Sequence, residues 1–224
     1  MKYFVESMKK FRVLWFLTIF MFLLAITSII DRNRKATIQY KESLEEVIAT
    51  VEGTPLTLRE FAVYVVHQEQ EVESQALVYN YKNTNKYWNI HTNGKFIKFM
   101  ARDSAIGMAI HDLLFYQLAE ELKLSLSEEE QIYVANDVMD FWEDLVDDNK
   151  VEKLGITEDD VKVAYEKIAL AEKAQFIYAQ IDNVEYEDYN YGKEEYERFL
   201  SDYEYKVEEA ILDRLDFGDI TLDH

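Results

Sequence analysis

One proline, Pro55, and six glycines are all that punctuate 224 residues. A chain this poor in chain-breaking residues cannot turn often enough for a many-stranded fold, so it must run in long helices. The helix starts are written in the sequence. Thr57-Leu58-Arg59-Glu60 and Ser127-Glu128-Glu129-Glu130 each fit a capping box, in which a hydroxyl and a carboxylate satisfy the free amides of a first turn. Thr157-Glu158-Asp159-Asp160 places acids at the positive end of a third helix. A fourth runs from about Phe96 to Leu122. From Ser104 to Ala119 its polar side chains are few (Ser104, His111, Asp112, Gln117), which predicts a helix buried on nearly all sides. The helix after Ser127 is expected to face inward with Ala135, Val138, Trp142 and Leu145, and Ile132, Met139 and Val146 beside them. The helix after Thr157 is expected to bury Val161, Ala164, Ile168, Ala171 and Ala174 and to end near Ile181.

Strand signals are fewer. Val47-Ile48-Ala49-Thr50-Val51 is a β-branched run ending in the turn signal Glu52-Gly53-Thr54-Pro55. Asn80 to Gly94 is Asn-rich, aromatic and without period, and reads as a loop. Asp182 to Gly192 is acidic and tyrosine-rich, and reads as a second loop. Lys193 to Tyr203 suits a short helix. Beyond it, Tyr205-Lys206-Val207 alternates, Ala210 to Leu215 looks helical, and Phe217 to Leu222 is a candidate terminal strand. The expected fold class is mainly α with one or two short strands.

The first 35 residues have a different character. Val13 to Ile30 is an uncharged apolar run of 18 residues, enough to cross a hydrocarbon layer of ~30 Å as a helix. Lys9, Lys10 and Arg12 precede it as in an export signal, and no clean cleavage site lies behind it, so the run is read as an uncleaved signal anchor. Flanking basic residues are equal on the two sides and do not set the orientation. A short N-terminal tail before a signal-like segment favours export of the long C-terminal part. Residues 36–224 carry 17 basic and 42 acidic side chains, a net of −25. Such a charge argues against nucleic acid and against anionic lipid as partners. It favours basic polypeptides. No cysteine is present, so disulfides and thiolate chemistry are excluded. The expected organisation is a tail (1–12), an anchor (13–30), a juxtamembrane linker (31–46), a helical domain (47–181), the acidic loop (182–192) and a C-terminal segment packed on the bundle (193–224).

Signs of chemistry are sparse. His67, His91, His111 and His224 fall into no metal-ligand spacing, and no phosphate-binding, dinucleotide-binding or nucleophile-elbow motif is present. His67 and His111 are expected to be hydrogen-bonded structural residues. Asp182, Glu185, Glu187, Asp188 and Asn190 lack the ligand alternation of a calcium loop and read as a solvated face. No catalytic residue, cofactor or metal is expected. The remaining feature is the concentration of Tyr79, Tyr81, Tyr87, Trp88, Phe96 and Phe99 where the helical period fails. These rings either cap the core or form an apolar surface for extended, unfolded peptides.

The order of these pieces resembles a known group. The segment from Val47 to Phe61 is similar to the opening of the chaperone domain of the SurA/PrsA foldases. Tyr87-Trp88, Lys98 to Ile106, Leu122 to Glu130 and Leu154 to Val161 are similar to its later steps. The resemblance covers about Val47 to Ile181. It implies a trigger-factor-like helical chaperone bundle acting on unfolded or partly folded exported proteins, outside the cell membrane of a bacterium. Two departures narrow it. Only 11 residues, Asp182 to Gly192, stand at the place of the family's parvulin prolyl isomerase domain, too few for a domain. The Gram-positive members are commonly lipoproteins, whereas this chain has no cysteine to carry the lipid. An isomerase and a structural scaffold of an envelope or export complex remain as alternatives. The expected topology is tested directly: protease added to intact cells or protoplasts should degrade the domain after Lys35 while a cytosolic control survives. Protection of both would place the domain inside.

Overall fold

The computed structural model describes Ile19, Met21, Phe22 and residues 37–223, and its contacts divide the chain into two units, residues 1–37 and 38–224. Within the first unit Ile19, Met21 and Phe22 are helical. The proposed anchor otherwise lies outside the described residues, and among those described no helix is long and apolar enough to cross a membrane.

The second unit is mainly helical, as the scarcity of breakers requires. After a 3-10 turn at Tyr40–Glu42, β1 (Val47–Val51) and β2 (Thr54–Thr57) form a hairpin. Its turn residues Glu52 and Gly53 both have positive φ, the backbone that a two-residue hairpin turn demands. Thr57 ends β2 and caps α1 (Leu58–Asn80) in the expected box with Glu60. Then come α2 (Asn85–Trp88), the hairpin β3 (His91–Thr92) with β4 (Lys95–Phe96), and α3 (Ile97–Glu121). Ser127 caps α4 (Glu128–Asp147); α5 (Lys150–Leu154) is short; Thr157 caps α6 (Glu158–Asp182). A 3-10 turn at Tyr186–Tyr189 leads to α7 (Glu194–Leu200), β5 (Tyr205–Val207) and α8 (Glu209–Leu212).

Four long helices, α1, α3, α4 and α6, make the bundle, and α3 is its centre. Ala105, Ala109, Ile110, Leu114 and Phe115 are buried, and α3 makes its most extensive contact with α6. Both helices carry alanines on their buried faces, which lets the two backbones approach closely.

Strand content is underestimated from sequence. Five short strands are present among the described residues, and β1 is the middle of a three-stranded antiparallel sheet ordered β2-β1-β5. The Asn80 to Gly94 segment is not all loop: it holds α2 and a hairpin whose turn, Asn93-Gly94, has positive φ at both residues. Phe217 to Leu222 forms turns rather than a strand, because its amides bond to a side chain instead of a neighbouring strand. The roll of α4 also differs. Val134, Val138 and Leu145 are buried and Phe141 packs on Tyr165 at 5.4 Å, whereas Ala135, Ile132, Met139 and Val146 face solvent. The apolar arc of α4 is wider than the surface it packs on, and the Phe141–Tyr165 contact selects which edge is buried.

The C-terminal segment is fastened to α1 by a buried carboxylate. Glu69 accepts hydrogen bonds from the amides of Gly218 (2.6 Å), Ile220 (3.2 Å) and Thr221 (2.8 Å) and from the Thr221 hydroxyl (2.5 Å). Burial pushes its carboxyl above the usual range, and these four donors pull it part of the way back. Removing the acceptor strands four donors, so Glu69→Ala should cost ~3–5 kcal/mol in urea unfolding. The Trp88 emission should shift to the red as well, because its ring packs on Gly218.

A second expectation concerns acid. Lys173 bonds both carboxylate oxygens of Glu130, at 2.8 and 2.7 Å, while Glu130 also caps α4 through Ser127. Lys173, then Ser127, hold the Glu130 carboxyl down at about 2 from its usual 4.5. A carboxyl depressed by folding stabilises the fold above its unfolded pKa and loses that contribution as pH falls through the folded one. Lys173→Met should therefore lower the urea midpoint near neutral pH, with the difference from the parent protein closing as pH falls from 4.5 to about 2.

Candidate functional site

The six aromatic residues singled out in the sequence separate into two kinds. Tyr79 (60% exposed), Tyr81 (74%), Phe96 (39%) and Phe99 (39%) lie on the surface, whereas Trp88 is 2% exposed. Trp88 is a core residue: its indole Nε1 donates to Glu73 at 2.8 Å, and Gly218 presses on the ring so closely that a Cβ there would sit 2.8 Å from it. It is therefore corrected out of the candidate binding surface. Tyr87 is half-buried, lies 5.5 Å from the Tyr79 ring and donates its hydroxyl to Gln75. Phe96 meets Phe99 edge-on at 6.0 Å. With the exposed Leu77, Val78 and Met100, these rings form two apolar groups, at the end of α1 and the start of α3. The antiparallel pairing of Tyr64 with Asp112 and Gln68 with Met108 brings them to one end of the bundle as an aromatic ledge. Cations lie over it: Lys82 over Tyr81, and Lys98 and Arg102 over Phe99. Lys95, Lys98 and Arg102 are in turn paired with Asp103, Asp216 and Asp213, so the ledge is nearly neutral on an acidic domain.

A second feature was not visible in the sequence. Between α1, α3, α6 and the segment 186–191 lies a cleft of about 510 Å³. Four tyrosines line it: Tyr64, Tyr165, Tyr186 and Tyr191. Its floor is a hydrogen-bonded relay. Tyr64 donates to Asp112 Oδ2 at 2.9 Å, Asp112 Oδ1 lies 2.7 Å from His111 Nδ1, and His111 Nε2 lies 2.9 Å from the Tyr189 carbonyl. A carbonyl only accepts, so Nε2 carries hydrogen, while Nδ1 and Asp112 share a second hydrogen bond. His111 is thus hydrogen-bonded through both ring nitrogens, as expected of it.

The other carboxylate of the cleft, Glu172, stands at the rim without any hydrogen bond or ion pair among the described residues. Burial raises its carboxyl, and Asp112 and Asp137 add to the shift, with His111 opposing. The same negative field acts on the tyrosines. Burial first, then Glu172 and Asp112, push the Tyr186 phenol up to about 12; burial, Asp137 and Asp144 do the same for Tyr165. No lysine or arginine lines the cleft.

The walls are built, not incidental. Gln175, buried, donates from one amide nitrogen to the Tyr186 carbonyl at 3.0 Å and to Asn190 Oδ1 at 2.8 Å, which fixes the loop over α6. The hydroxyl end of the Tyr191 ring lies against Gly107, where a Cβ would come within 2.1 Å of it, and the hydroxyl donates to the Asp103 carbonyl. A mid-helix glycine costs helix stability, and here its absent side chain makes room for a wall of the cleft. The acidic loop is consequently a packed element rather than a solvated face alone: Tyr189 is buried, and Asp188 caps the turn at Glu185. Among the described residues no group of three or more His, Asp or Glu is placed to hold a metal ion.

Comparison with family models, curated proteins and solved structures finds no match. The cleft wall is the feature that a single substitution tests most cleanly. Gly107→Ala should displace Tyr191 while shortening neither α3 nor α6, read as a Tyr191-specific shift in aromatic proton spectra at unchanged helical ellipticity.

Proposed function

We propose that this chain is a membrane-anchored, extracytoplasmic holdase, a folding factor that binds unfolded or partly folded exported polypeptides with no chemical step. The observation that carries the reading is the exposed aromatic ledge of Tyr79, Tyr81, Phe96 and Phe99, a surface that a monomeric domain would ordinarily bury. Each ring covered by a client segment contributes ~1.5–3 kcal/mol, so several together give a useful and reversible affinity. The rings sit on or beside helix ends held by the bundle, which keeps the surface formed in the absence of a client. Local neutrality supports the reading as well, because an apolar segment can approach without meeting the acidic charge carried elsewhere. The anchor and the outward orientation rest on the run Val13 to Ile30 and on the resemblance to the SurA/PrsA chaperone domain. The same resemblance, short of its isomerase part, gives binding without catalysis.

The test uses the full chain in neutral detergent with a thermally aggregating reporter protein. Tyr79→Ser, Tyr81→Ser and Phe99→Ser combined should abolish suppression of aggregation with the unfolding temperature unchanged, since these rings are outside the core. A variant equally stable and still fully protective would sink the ledge assignment, and measurable proline isomerisation would sink the non-catalytic reading. Trp88→Ser, by contrast, should lower stability whatever the client does.

A further inference from the structure

We infer that the tyrosine-walled cleft receives a cationic side chain, arginine or lysine, of the polypeptide bound on the ledge, with Glu172 as its counter-ion. The inference rests on the chain-binding reading above and deepens it by naming the client class. Size, wall chemistry and charge agree. A cleft of about 510 Å³ holds a long side chain with room for water. Tyr64, Tyr165, Tyr186 and Tyr191 offer ring faces, to which a guanidinium or ammonium is attracted. Asp112 already has both carboxylate oxygens engaged, one by Tyr64 and the other by His111. Glu172 has no hydrogen-bond or ion-pair partner among the described residues, and no lysine or arginine lines the cleft. An anion would meet the exposed Glu172 carboxylate at the rim, and a neutral aliphatic group would leave that carboxylate without a counter-ion.

The geometry also fixes a spacing. Ledge and cleft lie along the same helix: Phe99 belongs to the ledge, Asp103 accepts from Tyr191, Gly107 seats the Tyr191 ring, and His111 stands on the cleft floor. The twelve steps along α3 from Phe99 to His111 span roughly 18 Å. An extended chain covers that distance in about five or six residues. The favoured client therefore carries a basic residue about five residues from an apolar one.

The test measures binding of fluorescein-labelled nonapeptides to the full chain in neutral detergent. One peptide places arginine five residues from a leucine–phenylalanine pair, a second replaces arginine with norleucine, and a third puts arginine next to the pair. The first should bind about tenfold more tightly than either of the others. Glu172→Gln, a rim substitution that removes charge without changing shape, should reduce that preference to about twofold. Equal binding of the first two peptides, or a preference that survives Glu172→Gln, overturns the proposal. So does N-acetyl-arginine amide competing as well as the whole peptide, which would make the ligand a free organic cation. If the arginine preference is absent while aggregation suppression still depends on Tyr79, Tyr81 and Phe99, only the cleft assignment falls. If suppression is independent of the ledge, the holdase reading itself falls.

Discussion

Four hydrogen bonds to one buried carboxylate close this domain. Glu69 sits on α1, and its donors lie on residues 218–221, some 150 positions further along the chain. Leaving either side unpaired in the interior would cost more than the bonds themselves return, so the segment and the helix must come together or not at all. Other contacts depend on this closure. Gly218, held by Glu69, lies on Trp88. Trp88 in turn donates to Glu73, one turn beyond Glu69 on α1, and so fixes the chain that carries the ledge. Lys153 reaches the Thr221 and Leu222 carbonyls from the other side of the bundle. β5 adds to β1 in the same region, so the first and last parts of the domain share a sheet as well as a side chain.

What the sequence makes legible is local. Thr57 with Glu60, Ser127 with Glu130 and Thr157 with Asp160 form capping boxes because each needs only residues three apart. The burial of α3 comes from its lack of polar side chains. Asn93-Gly94 is also a local signal, a pair that favours positive φ at both positions, yet its strands are only two residues long and show no alternation. The roll of α4 is not local. Ile132, Met139 and Val146 form as good an apolar line as Val134, Val138 and Leu145, and only the position of Tyr165 on another helix decides between them. Glu69 is less legible still, since an acid on an amphipathic helix is ordinarily solvated and its partners are backbone amides.

The same division separates the two candidate surfaces. The ledge is legible because its rings crowd into one stretch of chain, although composition alone cannot tell that Trp88 turns inward while Tyr81 turns out. The cleft gathers Tyr64, His111, Glu172 and Tyr191 from distant segments of the chain, and each of these residues is unremarkable where it stands. One signal was available. Gly107 lies in the middle of a helix otherwise rich in good helix formers, a placement that usually means another group comes close. The ring of Tyr191 is that group.

Charge connects the surfaces to the fold. A domain with 42 acids and 17 bases repels itself, and that repulsion disfavours its compact state. Two sets of its bases matter here: one across the bundle, where Arg59 reaches Asp160, Lys167 reaches Glu60 and Lys173 reaches Glu130, and one around the ledge. The first set ties α6 back to α1 and to the start of α4. The second lies over exposed rings that would otherwise face water bare. The cleft receives no lysine or arginine, and burial, reinforced by nearby acids, raises the Tyr165 and Tyr186 phenols. The cation proposed for the cleft would enter it without breaking any ion pair of the fold. By the same logic the ledge can accept an apolar segment without exposing an acid. The uneven distribution of basic residues thus leaves the exposed rings beside paired bases and the cleft without lysine or arginine.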